Sequence, residues 1–205
     1  MNNQFKILIP QYNPPKTYLK ALNLVGLDCD CKFNPPSFNE YKGLLLIGGG
    51  DVYPFFYGKK IEFSNANLPK DAIEFKAIDY FYRNGLPILG VCRGLQQLNV
   101  FFGGTLKSVN FHQGNSRLDA YHPLAPTENG FLKGLKRVNS NHRQCVDQLC
   151  KQAKDVCFST DGTVEGFSIG DNILAVQFHP ERMDISAIIT VYGEFAKMVK
   201  AYAKI

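Results

Sequence analysis

No apolar run in this chain approaches the roughly 18 residues that cross a bilayer as a helix, so a membrane-spanning helix is excluded. The opening residues Met1-Asn2-Asn3-Gln4-Phe5-Lys6 lack the charged end, apolar middle and small-residue cleavage site of a secretory signal. The expected compartment is therefore the cytoplasm, with no membrane partner. Dense Lys/Arg blocks are absent, and 23 basic against 18 acidic residues leave a net charge of only +5. That balance speaks against nucleic acid; the surplus fits an anionic small molecule and fits no partner at all equally well. None of the six cysteines (29, 31, 92, 145, 150 and 157) forms a Cys-x-x-Cys pair, which removes the usual zinc-knuckle and redox spacings. Free thiols, no metal site and no cofactor are the expectation. Internal repeats, linkers and low-complexity tracts are also missing, so residues 1–205 are expected to form one domain.

What the chain does have is strand–helix alternation. Phe5 to Ile9 reads as a short buried strand stopped by Pro10. Lys16 to Val25 has helical spacing and stops at Gly26, and Asp28 to Phe33 is a second strand candidate. Gly43 to Ile47 is an uninterrupted apolar run ending in three glycines, as a central parallel strand requires. A helix over Asp71 to Arg83 carries Ile73, Ala77, Ile78 and Phe81 on one face. Pro87 to Val91 is another apolar strand, followed by a helix over Leu95 to Phe102. Beyond Thr105 the segments shorten, with strand pieces near 136–138, 144–146, 156–159, 164–169 and 173–178, and a closing amphipathic helix from Ile185 to Tyr202. The pattern predicts an α/β fold: an open, mostly parallel central sheet with helices on both faces and a small antiparallel extension. In such sheets ligands bind at the carboxyl ends of the strands, which directs attention to the loops after residues 9, 47, 91 and 178.

Gly90-Val91-Cys92-Arg93-Gly94 follows one of these strands and opens a helix. It has the form Gly-x-nucleophile-x-Gly, with cysteine at the bend. Small residues on either side avoid a clash at so sharp a turn, and the positive end of the helix favours a thiolate. The Arg93 amide is then free to stabilise an oxyanion. Phe178-His179-Pro180-Glu181 ends the last apolar strand. His179 can act as general base and acid, and Glu181, two residues on, can hold the imidazole's tautomer. Gly48-Gly49-Gly50-Asp51 lets backbone N–H groups approach a ligand, and could supply a second oxyanion donor. The full phosphate-loop pattern is absent.

Together these segments resemble the class I glutamine amidotransferase superfamily, and within it the stand-alone γ-glutamyl hydrolases of the peptidase C26 type. The carrying residues are Gly48 to Pro54 with Tyr57-Gly58, Gly90 to Asn99, Val138 to Gln144, Asp161 to Glu165, and Gln177 to Glu181. The resemblance implies Cys92 as nucleophile, His179 as base and Glu181 as its partner. It implies Gly49, with Gly50 beside it, and Arg93 as the oxyanion donors, and Gln96 as a grip on the glutamyl group. Asn141, His142, Arg143 and Gln144 match a segment whose main chain holds the α-amino and α-carboxylate groups. The implied activity is hydrolysis of a γ-glutamyl amide through a thioester, with no cofactor. Arg143 stands where such hydrolases often carry a second histidine, and the chain is shorter than typical members. Both departures put the γ-aminobutyrate conjugate in doubt as substrate. Resemblance to a compact member of the family implies instead a γ-glutamyl nucleotide amidate such as γ-glutamyl-CDP-amidate, used in capsule biosynthesis.

Tyr53, Phe55, Phe56 and Tyr57, with Lys59 and Lys60 behind them, could stack on a base and face phosphates. The plainer reading makes two of the aromatics core and the lysines solvated. His112, His122 and His142 read as structural histidines. A glutaminase subunit feeding ammonia to a separate synthetase partner and a catalytically silent binding protein are the rival functions, and a homodimer stays open.

Overall fold

The computed structural model describes residues 5–60, 65–109, 112, 119–125 and 130–202; most of the segment read for a leader lies outside them. The first half alternates as expected: β1 (Lys6–Ile9), α1 (Lys16–Leu24), β2 (Asp28–Cys31), β3 (Gly43–Leu46), α2 (Leu68–Arg83), β4 (Ile88–Val91) and α3 (Arg93–Phe101). Short strands follow: β5 (Leu106–Ser108), β6 (Ala120–Pro123), β7 (Arg137–Ser140), β8 (Gln144–Val146), β9 (Lys154–Phe158), β10 (Val164–Ile169) and β11 (Ile173–Val176). The chain closes with α4 (Ile185–Ile188) and α5 (Glu194–Tyr202).

The main sheet runs β2-β1-β3-β4-β11-β10-β9. Its first five strands are parallel, and β10 and β9 continue it antiparallel. Two antiparallel ribbons, β5–β8 and β6–β7, stand beside it. Every parallel strand at the centre is apolar on both faces because helices cover both sides. Ile7, Leu45, Leu89, Val91 and Val176 pack with α1 and α5, while Leu8, Leu44, Leu46, Ile88 and Ala175 pack with α2 and α3. The alternation follows from the two-residue period of a strand.

Several boundaries differ from the sequence reading for local reasons. α2 begins three residues early because the Asn67 side chain accepts the Lys70 N–H at 3.0 Å, with Pro69 in the first turn. Its buried face includes Asp71 and Glu74, whereas Ile73 is only half-buried. The closing helix is interrupted by a π turn over Ile189–Gly193. This wider turn takes in an extra residue, and Val191 and Tyr192 both end fully buried, with the Tyr192 ring near Glu181. No helix among the described residues is long and apolar enough to cross a membrane.

Candidate active site

The loops after β3, β4 and β11 meet at the carboxyl edge of the sheet. Cys92 sits where β4 passes directly into α3, at φ 54° and ψ −105°, a positive φ that a side-chain-bearing residue adopts only under constraint. The constraint is visible on both sides. A Cβ at Gly90 would lie 2.7 Å from the Gly94 carbonyl, and one at Gly94 would lie 2.4 Å from the Leu46 carbonyl oxygen. The Cys92 N–H is held by the Val176 carbonyl at 2.7 Å. The first amides of α3, that of Arg93 among them, have no partner within the helix and carry its positive end.

His179 follows β11 and is 3% exposed. Its Nδ1 lies 2.8 Å from Glu181 Oε1, which leaves Nε2 for Cys92. Burial opposes a charge on the ring, but the Cys92 and Glu181 charges outweigh it and hold His179 up at about 10. A Cβ at Gly48 would fall 2.8 Å from His179 Cε1 and 3.6 Å from Cys92 Cβ, so only glycine fits beside the pair.

The other predicted residues line one pocket of about 220 Å³. Gly49, Gly50 and Arg93 border it on the helix side together with Cys92, and Gln96 lies one turn along α3. Asn141, His142, Arg143 and Gln144 form the opposite wall. The Gln96 amide donates to the Gln144 carbonyl at 2.8 Å and to Gln177 Oε1 at 3.2 Å, which ties helix to wall. A larger hollow of about 500 Å³ shares Asp51, Asn65, Arg143 and Gln144 with this pocket. It adds Lys59, Lys60 and Lys107, and Tyr57 lines it. Of the four aromatics before the lysines, Tyr57 is buried and Tyr53 half-buried, whereas Phe55 is 75% exposed.

Some supporting residues escaped the sequence reading. Asn139 clamps the His179 backbone: its Oδ1 accepts the His179 N–H at 2.9 Å and its Nδ2 donates to the His179 carbonyl at 3.0 Å. It lay inside the Val138–Gln144 segment, which was the available signal. Tyr18, read as an apolar face of α1, accepts the Gly48 N–H at 3.0 Å and stands 3.3 Å from His179 Nδ1. The Arg93 side chain turns away from the pocket, into a buried cluster with Asp71, Glu74 and Gln97. The Glu74 contact is 2.6 Å, and Asp71 also accepts the Tyr53 N–H at 2.8 Å, so the cluster joins α2, α3 and the glycine loop. Behind the wall, His112, His122 and His142 gather around fully buried Glu165, a convergence that no sequence spacing announced. Burial raises Glu165 from its ordinary value and pushes His142 down to about 3.

The chain has relatives among known proteins. The YvdE protein of Lactococcus lactis, named as glutamine amidotransferase-like, is 35% identical over 157 residues, 67% of this chain and 65% of that protein. The γ-glutamyl-CDP-amidate hydrolase of Campylobacter jejuni is 24% identical over 160 residues, 78% of this chain and 72% of that protein. A glutamine amidotransferase structure from Thermotoga maritima superposes with a TM-score of 0.67 at 17% identity, over 98% of this chain and 99% of that one. The fold is thus shared widely at low identity. The family model for peptidase C26 covers residues 36–181, from the segment before β3 through Glu181, and by that match the chain belongs to the peptidase C26 family.

Proposed function

We propose that this protein is a cysteine-nucleophile hydrolase that cleaves a γ-glutamyl amide and releases glutamate. The observation that carries the reading is the conjunction at Cys92. A thiol on a constrained bend, beside an imidazole that a buried carboxylate holds, opens onto a glutamyl-sized pocket. Cys92 Sγ attacks the γ-carbonyl carbon. The amides of Arg93 and Gly49 receive the negative charge that develops on the oxygen. His179 gives its proton to the departing nitrogen, the C–N bond breaks, and a thioester to Cys92 remains. Water then loses a proton to His179 and attacks the thioester, and glutamate leaves as the thiol is regenerated. Glu181 keeps the ring in one orientation and one tautomer throughout. Asn141 to Gln144 and Gln96 are the residues placed to hold the glutamyl group.

The adjoining hollow supports an anionic leaving group. Lys59, Lys60, Lys107 and Arg143 border it against the single carboxylate of Asp51 among its lining residues. Its volume of about 500 Å³ falls in the range of nucleotide- and drug-sized sites and exceeds what ammonia or a four-carbon amino acid fills. A γ-glutamyl nucleotide amidate, such as the γ-glutamyl-CDP-amidate cleaved by the Campylobacter relative, suits both volume and charge and would place the protein in capsule biosynthesis. The competing readings are a γ-glutamyl-γ-aminobutyrate-type hydrolase and a glutaminase subunit that passes ammonia to a synthetase. Glutamate release should be measured from γ-glutamyl-CDP-amidate, γ-glutamyl-γ-aminobutyrate and glutamine. The proposal expects the nucleotide amidate to turn over fastest without a second protein. Turnover of glutamine alone, and only with a synthetase added, would replace it.

A further inference from the structure

Glu165 lies on β10 with its side chain fully buried. Three imidazole nitrogens surround its Oε1: His122 Nε2 at 3.3 Å, His112 Nδ1 at 3.6 Å and His142 Nε2 at 3.8 Å. The ring of His112 stands 4.7 Å from that of His122 and 4.8 Å from that of His142. Despite this proximity, no hydrogen bond of good geometry reaches either oxygen of Glu165 among the described residues, and His142 Nε2 has no partner. Burial opposes a charge on His122, but its Nε2, at 3.3 Å, is near enough for the Glu165 charge to raise that ring without a well-aligned bond. A buried carboxylate in that condition carries a large cost, because nothing offsets its lost hydration.

The outward nitrogens explain why the inward ones are unpaired. His112 Nε2 faces Asp161 Oδ2 at 2.7 Å, His142 Nδ1 faces the Gln144 carbonyl at 2.9 Å, and His122 Nδ1 faces the Pro123 carbonyl at 3.4 Å. Each outer group is an acceptor, so each calls for the ring's N–H. In a neutral imidazole the other nitrogen then presents a lone pair. Ser140 Oγ, 3.3 Å from His112 Nδ1, donates its proton to the His112 carbonyl instead. With all three rings neutral, three lone pairs converge on a carboxylate, an arrangement that is relieved either by a proton on His122, which Glu165 favours, or by a cation that all four groups can share. Outer acceptors fixing the ring tautomers are what metal-bound histidines require.

The structure assigns to His112, His122, His142 and Glu165 a binding site for a divalent transition ion, with zinc the best fit. Ligands about 2.0–2.1 Å from a tetrahedral zinc stand roughly 3.3–3.4 Å apart, close to the three separations around Glu165 Oε1. One donor atom from each of His112, His122 and Glu165 already lies within 4.8 Å of the other two; His142 Nε2, 3.8 Å from Glu165 Oε1, stands outside that group and joins as a fourth ligand by a small shift of its ring. Imidazoles with one carboxylate and no sulfur favour zinc over magnesium or calcium. Four protein ligands leave no open position, so the ion is structural. It would fasten the β6–β7 ribbon to β10 of the main sheet, behind the wall that carries Arg143 and Gln144.

The test uses the untagged full-length protein and zinc alone, and does not depend on any turnover. After zinc loading and exhaustive dialysis, elemental analysis should find about one zinc per chain. A chelator should remove it and lower the thermal midpoint by roughly 5–15 °C. Cobalt in its place should give the visible bands of a tetrahedral ion. Glu165→Gln should abolish retention of the ion. Should that buried variant fail to fold, His122→Gln serves, because the His122 side chain is partly exposed (18%). A folded protein that retains less than a tenth of an equivalent after loading would overturn the assignment. So would full zinc retention by His122→Gln, which would put the ion elsewhere.

Discussion

Two buried glutamates, Glu181 and Glu165, both face histidine, yet they differ in kind. Glu181 meets one ring, in hydrogen-bond geometry at 2.8 Å, with a thiol on that ring's far side. Glu165 meets three rings and bonds to none of them. In the first group a proton has a place to sit and a place to go, so the arrangement suits proton transfer. In the second, acceptors outside the cluster favour outward N–H groups, and the inward nitrogens share one carboxylate as ligands share a cation. The same two residue types are thus set to chemistry or to fastening by which nitrogen faces the carboxylate.

The largest effect should come from the far side of the first group. Cys92→Ala should reduce glutamate release by about 10⁴-fold or more with the circular dichroism spectrum unchanged, and residual turnover within tenfold of the parent would remove the thiol from the reaction. Next, Glu181→Gln should cost roughly 10²–10⁴-fold in kcat through loss of the tautomer. Glu165→Gln should instead act on metal content and thermal midpoint, and a kcat loss equal to that of Glu181→Gln would erase the contrast. The third effect is on stability against pH. His179 is held at about 10, above its ordinary 6.5, so the folded state binds that proton more tightly. Its contribution is complete below about pH 6.5 and declines as the pH rises toward 10. Urea midpoints measured from pH 6 to 10 should show a smaller decline, ending at lower pH, in Cys92→Ala, since one of the charges that raise His179 is gone; superimposable curves would mean that Cys92 does not act on the ring. The smallest effect is at the hollow. Lys107→Ala should raise KM for a phosphate-bearing γ-glutamyl amide by roughly three- to tenfold and leave glutamine unaffected, as the loss of one exposed contact to an anion allows. Equal change for both substrates would deny the hollow a part in leaving-group binding.

The difference between the two groups also explains what the sequence made legible. His179 and Glu181 are two positions apart at a strand end, so one short stretch encodes their contact. The bend at Cys92 is equally local, since its geometry is written in Gly90 and Gly94. Apolar runs at 44–47 and 88–91 revealed the sheet because burial on both faces leaves no polar positions to confuse the pattern. By contrast, His112, His122, His142 and Glu165 lie on four separate segments, and only the pairing of β6 with β7 and the return of β10 bring them together. Asp71 and Glu74 were hidden for another reason: carboxylates on a helix usually face solvent, and only the opposing Arg93 guanidinium reveals that these two point inward. The π turn at Ile189–Gly193 left no periodicity to detect, because one added residue shifts the register and does not break it.

The double grip of Asn139 on the backbone of His179 has a mechanical consequence. Asn139 belongs to the same ribbon strand that leads into the residues lining the pocket. Pressure from an arriving molecule on that lining is therefore passed, through one short side chain held at both of its polar atoms, to the position of the ring that must hand over a proton. Occupancy and readiness are read by one lever, and a molecule that seats badly also misplaces its own proton donor.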